Sequence, residues 1–298
     1  MNGREKGFLL LTSQLGNPER KILTPAQLRS LSDRVRSMGR PTEDRELDLA
    51  DLTALGYRED MARRILGLLE EEDLLEHYIT RGRKLDCVPL TRVSPEYPQS
   101  LRDRLGTEAP GCLWTKGDLA LLEAPKVVLV GSRDIRDKNR EFAEEVGRQA
   151  ARQGFVLVSG NARGADRAAQ EACLLAGGRV ISVVADRLAK QTAREWMLFL
   201  SQDGFDEEFS SQRALSRNRV IHALGQCVFV AQCGNQTGGT WDGTVKNLRF
   251  RWSPVRCFDD GSASMKLLEQ MGAELVGFEQ LSDLASLTAG ERTLFDPL

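Results

Sequence analysis

The sequence predicts an α/β fold, with a parallel sheet covered on both faces and a small all-helical domain ahead of it. Three observations predict this. From Lys126 onward, short valine-rich apolar runs alternate with helical stretches, the pattern of successive right-handed βαβ crossovers. Most of these runs end at glycine or a small polar residue, where a buried strand passes into a loop. Before residue 83 the leucines recur at helical spacing instead. The division expected is a helical, helix-hairpin-helix-like domain over 1–83 and a sheet domain over 84–298.

Bulk properties narrow the class. Of 298 residues, 41% are hydrophobic and 28% charged, ordinary for a folded domain with a sizeable core. A net charge of −2 excludes a surface that is basic all round, so any anion site must be a local patch. Six scattered cysteines without a C-x-x-C, and only two histidines, give neither a disulfide framework nor zinc-ligand spacing. Buried reduced thiols follow, and a cytoplasmic location with them. The polar N-terminus is followed by an apolar stretch too short for a signal, and no later stretch would span a bilayer.

In chain order, residues from about Phe8 to Glu76 read as helix. Thr24-Pro25 supplies an N-cap and an N1 proline ahead of Leu28, Leu31 and Val35. A polar stretch from Arg40 to Arg45 separates these from Leu49, Leu52 and Leu55, which end at Gly56; a helix restarts by Met61. The turn Leu55–Asp60 has one glycine and two acids, so packing is favoured over a phosphate grip there. The acidic run Glu70–Asp73 is a solvated helix face. Prolines 89, 95, 98 and 110 make 84–122 an extended approach, with a short strand at Cys112–Thr115. Strands then follow at 127–130, 155–159, 180–184, 227–231 and 255–258. Helices fall at about 137–153, 165–176, 212–224, from 240, and 264–271, with a less regular helical segment around Ala193 to Leu200.

Three loops fall at carboxyl ends of strands, where open α/β sheets bind ligands. They are Gly131-Ser132-Arg133, the segment Ser159–Asp166, and Gln236–Thr240. Small residues and free N–H groups at a helix start suit a phosphate. The candidates are Gly131, Ser132, Arg133, Ser159, Gly160, Arg163, Gly164, Asp166, Gly238, Gly239 and Thr240. Arg163 in a glycine loop gains nothing from the helix dipole and needs an anionic partner. Asp166 reads first as a cap of its helix. Arg213, Arg217, Asn218 and Arg219 add a positive stretch with no acid between Ser210 and Leu224. His222 reads as core, and Trp241 either as a base-stacking ring or as a core wedge. Neither a G-x-G-x-x-G nor a Walker A is present, so no cofactor and no metal is expected.

These motifs in this order resemble the DNA-processing protein A (DprA/Smf) family. They are Gly131-Ser132-Arg133, Ser159-Gly160-x-Ala162-Arg163-Gly164-x-Asp166, Gly177-Gly178-Arg179 and Arg217-Asn218-Arg219, with Tyr97-Pro98 and Leu113-Trp114-x-Lys116-Gly117-Asp118 upstream. The resemblance implies an extended Rossmann-like domain that binds single-stranded DNA without catalysis. It also implies a homodimer and transfer of DNA to a RecA-type recombinase in DNA uptake or recombination.

The loop Thr237–Asp242 is closer to the wider Rossmann-like nucleotide-binding superfamily, which includes the cytokinin-activating phosphoribohydrolases. The alternative is therefore an enzyme hydrolysing an N-glycosidic bond of a nucleotide, with a role such as phage defence. Asp242 is the nearest acid such an enzyme could use.

Overall fold

A computed structural model describes residues 1–38 and 47–288; the predicted separator at 40–45 lies outside them. The first five helices are α1 (Gly3–Thr12), α2 (Pro25–Ser37), α3 (Leu49–Ala54), α4 (Glu59–Leu69) and α5 (Glu72–Arg83). Thr24 and Gln27 close a reciprocal capping box over Pro25 at the start of α2. Gly56 takes a left-handed φ of 80° after α3. Its N–H and that of Tyr57 donate to Thr53 and Leu52, so both amides of this turn are used internally. Arg34 donates to the Leu55 carbonyl and lies 4.5 Å from the centre of the Tyr57 ring.

The sheet has nine strands: β1 (Val88–Thr91), β2 (Cys112–Gly117), β3 (Lys126–Val130), β4 (Val156–Ser159), β5 (Arg179–Val183), β6 (Met197–Ser201), β7 (Cys227–Val230), β8 (Val255–Phe258) and β9 (Glu274–Val276). Their spatial order is β1-β2-β6-β5-β4-β3-β7-β8-β9. Strands β3 to β9 pair in parallel, and β2 joins antiparallel to both β1 and β6. The chain steps outward from β3 to β6 and then returns to the other side of β3 at β7. That reversal is the topological switch point.

The remaining helices are α6 (Gln99–Leu105), α7 (Asp137–Arg152), α8 (Ala165–Leu175), α9 (Ser211–Leu224), α10 (Gly238–Phe250), α11 (Ala263–Gln270) and α12 (Leu284–Thr288). One face of the sheet packs Val127 and Leu129 with α7, α8, α12 and also α1 and α5. The other packs Val128 and Val130 with α6, α9 and α11. A third apolar cluster joins α2, α3 and α4 around Leu52 and Ile65.

The segment around Ala193 to Leu200, expected to be helical, instead contains β6. Met197, Leu198, Phe199 and Leu200 are all buried, two on each face of the sheet. A strand covered on both sides has no polar alternation to mark it, and the spacing of Ala193, Trp196 and Leu200 imitates a helix. Strands β1 and β9 and helix α6 were also not anticipated.

Candidate functional site: an arginine cleft at the carboxyl edge of the sheet

The three predicted loops meet at one edge of the sheet and are built against each other. A Cβ on Gly131 would sit 2.4 Å from the Ala165 Cβ, and one on Gly164 would sit 2.4 Å from the carbonyl oxygens of Ser132 and Arg133. Gly164 also has φ of 88°. Glycine is thus required at both positions, because the first loop passes directly over the second. The Ala165 N–H donates to the Ser132 carbonyl at 3.1 Å. The Thr240 hydroxyl donates to the Gly131 carbonyl at 2.9 Å, tying the third loop to the first.

Helix α9 completes this bracing. Arg217 is buried and donates to the carbonyls of Gly160 (2.6 Å) and Val183. A Cβ on Gly160 would fall within 2.6 Å of its guanidinium. Asn218 donates to the Gly239 carbonyl at 3.0 Å. Asp166 is buried too, and accepts the N–H groups of Gly160 (3.0 Å) and Ala162 (3.2 Å). Burial pushes its carboxyl up, against the pull of Arg217 and those two amides. Ser159 faces the core, where its hydroxyl accepts from Gln170, which also donates to Ser182.

The arginines of α9 therefore differ from the single positive face expected of them. Arg213 pairs with Glu207 and lies 3.8 Å from Asp203, acids supplied by the loop before the helix. Arg219, two residues from Arg217, points away from the loops and pairs with Glu108 at 3.1 Å. Residues two apart on a helix cannot share a face.

The open cationic surface lies beside this brace, between the starts of α7 and α8. A cleft of about 630 Å³ there is lined by Arg133, Arg136, Arg140, Arg163 and Arg167, with Asp134 and Glu171 as its acids. Arg163 pairs with Asp134 at 2.7 Å, both largely exposed. Arg136 pairs with Asp260. Among the described residues, Arg133, Arg140 and Arg167 have no ion-pair partner. Phe209, 52% exposed, holds its ring centre 5.9 Å from the Arg133 guanidinium. Sequence reasoning missed Arg136, Arg140, Arg167 and Phe209. Their signal was present in two i,i+4 arginine pairs, 136/140 and 163/167, at the starts of helices.

Backbone donors converge on the same edge. Helices α7, α8 and α10 begin there with no side-chain cap, whereas α9 and α11, starting at the same edge, are capped by Ser210 and Ser262. Uncapped first-turn N–H groups suit an anion. The switch-point crevice between β3 and β7 is filled: Gln232 accepts from Arg136 N–H and donates to the Asp134 carbonyl, and Asn139 bridges Ala231 and Asp260. The cleft consequently lies one strand over, toward β4.

His222 is buried beneath α10, where burial lowers its pKa to about 4 and keeps it neutral. Trp241 packs half-buried against the core of its face. All six cysteines are buried and free. Among the described residues no group of His, Cys, Asp or Glu could hold a metal ion, and no helix is long and apolar enough to cross a membrane.

The family model described as DNA recombination-mediator protein A matches residues 89–286. The DNA processing protein DprA of Streptococcus pneumoniae (strain ATCC BAA-255 / R6) is 35% identical over 182 residues, covering 57% of this chain and 64% of that relative. The match thus spans just under two thirds of the relative's length. The crystal structure of DNA processing protein A from Streptococcus pneumoniae superposes with a TM-score of 0.74 at 25% identity, covering 96% of this chain and 98% of that one. DNA processing protein A from Helicobacter pylori, whose structure is described for its single-stranded DNA binding mode, shares the fold. Its TM-score is 0.55 at 22% identity, over 67% of this chain and 94% of that one.

Proposed function

This chain belongs to the DNA recombination-mediator protein A family, and on that premise we propose that it binds single-stranded DNA in the arginine cleft and does no covalent chemistry on it. The observation that carries the reading is the set of exposed arginines held over a rigid floor of mutually braced loops. Arg133 and Arg163 grip backbone phosphates, and the amides of Gly164, Gly238, Gly239 and Thr240 supply further donors. Ser132, part-exposed beside Arg133, adds a hydroxyl. Phe209 offers a face on which a base stacks, a mode that tolerates any sequence.

Gly131, Ser159, Gly160, Asp166, Arg217 and Asn218 act as the floor. Arg213 and Arg219 stay with their protein partners. The enzyme alternative loses its acid: Asp242 is paired with Lys246 at 2.8 Å on the surface of α10. The same reading includes a homodimer, and delivery of DNA to a RecA-type recombinase in the cytoplasm during DNA uptake or recombination.

The test is a titration of a labelled oligothymidylate against thymidine monophosphate at two salt concentrations. Tight, steeply salt-dependent binding of the oligonucleotide supports the reading. Equal affinity for the mononucleotide, or release of free base from it, would overturn it.

A further inference from the structure

We propose that Arg140 and Arg167, at the openings of α7 and α8, form a second phosphate subsite beside the grip of Arg133 and Arg163, which lengthens the DNA track into the groove between the two helices. This rests on the single-stranded DNA reading above. Four of the cleft's arginines fall four residues apart in two pairs: Arg136 at the N-cap of α7 with Arg140 on it, and Arg163 in the loop before α8 with Arg167 on it. The second member of each pair therefore lies on the opening of its helix, so the two bring cationic charge to the α7 and α8 walls of the cleft rather than to its loops. In each pair the first member is engaged within the protein, Arg136 with Asp260 and Arg163 with Asp134. The second member is not, and both second members are exposed.

Local stability gives no reason for this arrangement. Arg167 sits in the first turn of α8, where the helix dipole disfavours a cation. Glu171 lies one turn on, yet makes no ion pair with it among the described contacts. Two unpaired guanidiniums on neighbouring helices repel each other unless an anion lies between them. A single phosphate at the sheet edge would leave both unused, whereas a continuing strand brings a further phosphate to them. The chemistry recognised is an extended polyanion with regularly spaced charges, with no reading of bases.

The experiment compares the parent chain with the R140A/R167A double variant, using labelled oligothymidylates of about 5 and about 20 nucleotides at about 50 and 200 mM salt. The expected result is a loss of about tenfold or more for the long oligonucleotide. The slope of log affinity against log salt should fall by about 1.4, two contacts at about 0.7 each, with less than about a twofold change for the short one. The melting temperature should not move, since exposed charges are replaced by a good helix former. Equal affinities of variant and parent at both lengths, or an equal loss at both, would overturn the subsite. Should the parent bind neither oligonucleotide, the DNA reading itself falls, a result distinct from either.

Discussion

Arg217 and Arg133 look alike in the sequence, each in a short motif and each expected at the same sheet edge, but the structure uses them in opposite ways. Arg217 is 6% exposed, and its Nη1 donates to the carbonyls of Gly160 and Val183. Arg133 is exposed, has no ion pair among the described residues, and lies over the ring of Phe209. One arginine is part of the fold and the other is available to a ligand. The lesson is that a motif shared by a family of binding proteins can be mostly scaffold. Much of this one presses three loops together, so that a few exposed groups stand clear of the fold at the sheet edge.

The comparison breaks most decisively through stability. Arg217→Ala leaves two carbonyls without donors and Asp166 without its neighbouring cation, and should cost about 3–5 kcal/mol in chemical denaturation. An Arg217→Ala chain as stable as the parent would place this residue among the ligands after all. His222, buried on the same helix, should make stability depend on pH. Its pKa of about 4 in the fold lies below the unfolded value of about 6.5, so the unfolded chain takes up the proton first. Stability is therefore full above about pH 6.5 and falls toward pH 4 by up to about 3 kcal/mol, a slope that His222→Gln should flatten.

On the exposed side the effects should appear in binding alone. Arg133→Ala should weaken oligothymidylate binding by about 1.5–3 kcal/mol and lower the salt slope by about 0.7, with an unchanged denaturation midpoint. Phe209→Ala should cost about 1–3 kcal/mol of stacking with no change in salt slope, which separates the ring from the charges. The smallest effect runs the other way. Asp134 occupies Arg163 much as a phosphate would, and exposed pairs are weak, about 0–1 kcal/mol. Asp134→Asn should tighten DNA binding by up to about fivefold in the same anisotropy titration.

How far the sequence reveals this molecule depends on what each residue's neighbours are. Val127–Val130 ending at Gly131 announces its strand and loop, and the glycines at 131 and 164 are required where the chain crosses itself. Met197–Ser201 is as much a strand as these, but burial on both faces removes the alternation that would distinguish it from helix. Of the candidate residues, Arg133 and Arg163 are exposed, as their loop positions suggest. Arg217 is not, since burial is set by β4 and β5, distant in sequence. Arg213 is similar: no acid shares its helix, and its partners come from the preceding loop. Arg140 and Arg167 each follow another arginine by four residues, but only the packing of α7 beside α8 brings the two pairs to one cleft.

Phe209 sits in a long connection whose start is firmly held. A few residues earlier, Phe205 is clasped by Tyr78 and Trp114 at centroid distances of 4.6 and 4.9 Å, and Asp206 accepts from Tyr78 and pairs with Arg81. The start of this connection is therefore clamped by helix α5, which packs on the same face of the sheet as α7 and α8. The N-terminal helices thus hold the chain four residues before Phe209, through Tyr78 and Arg81 of α5.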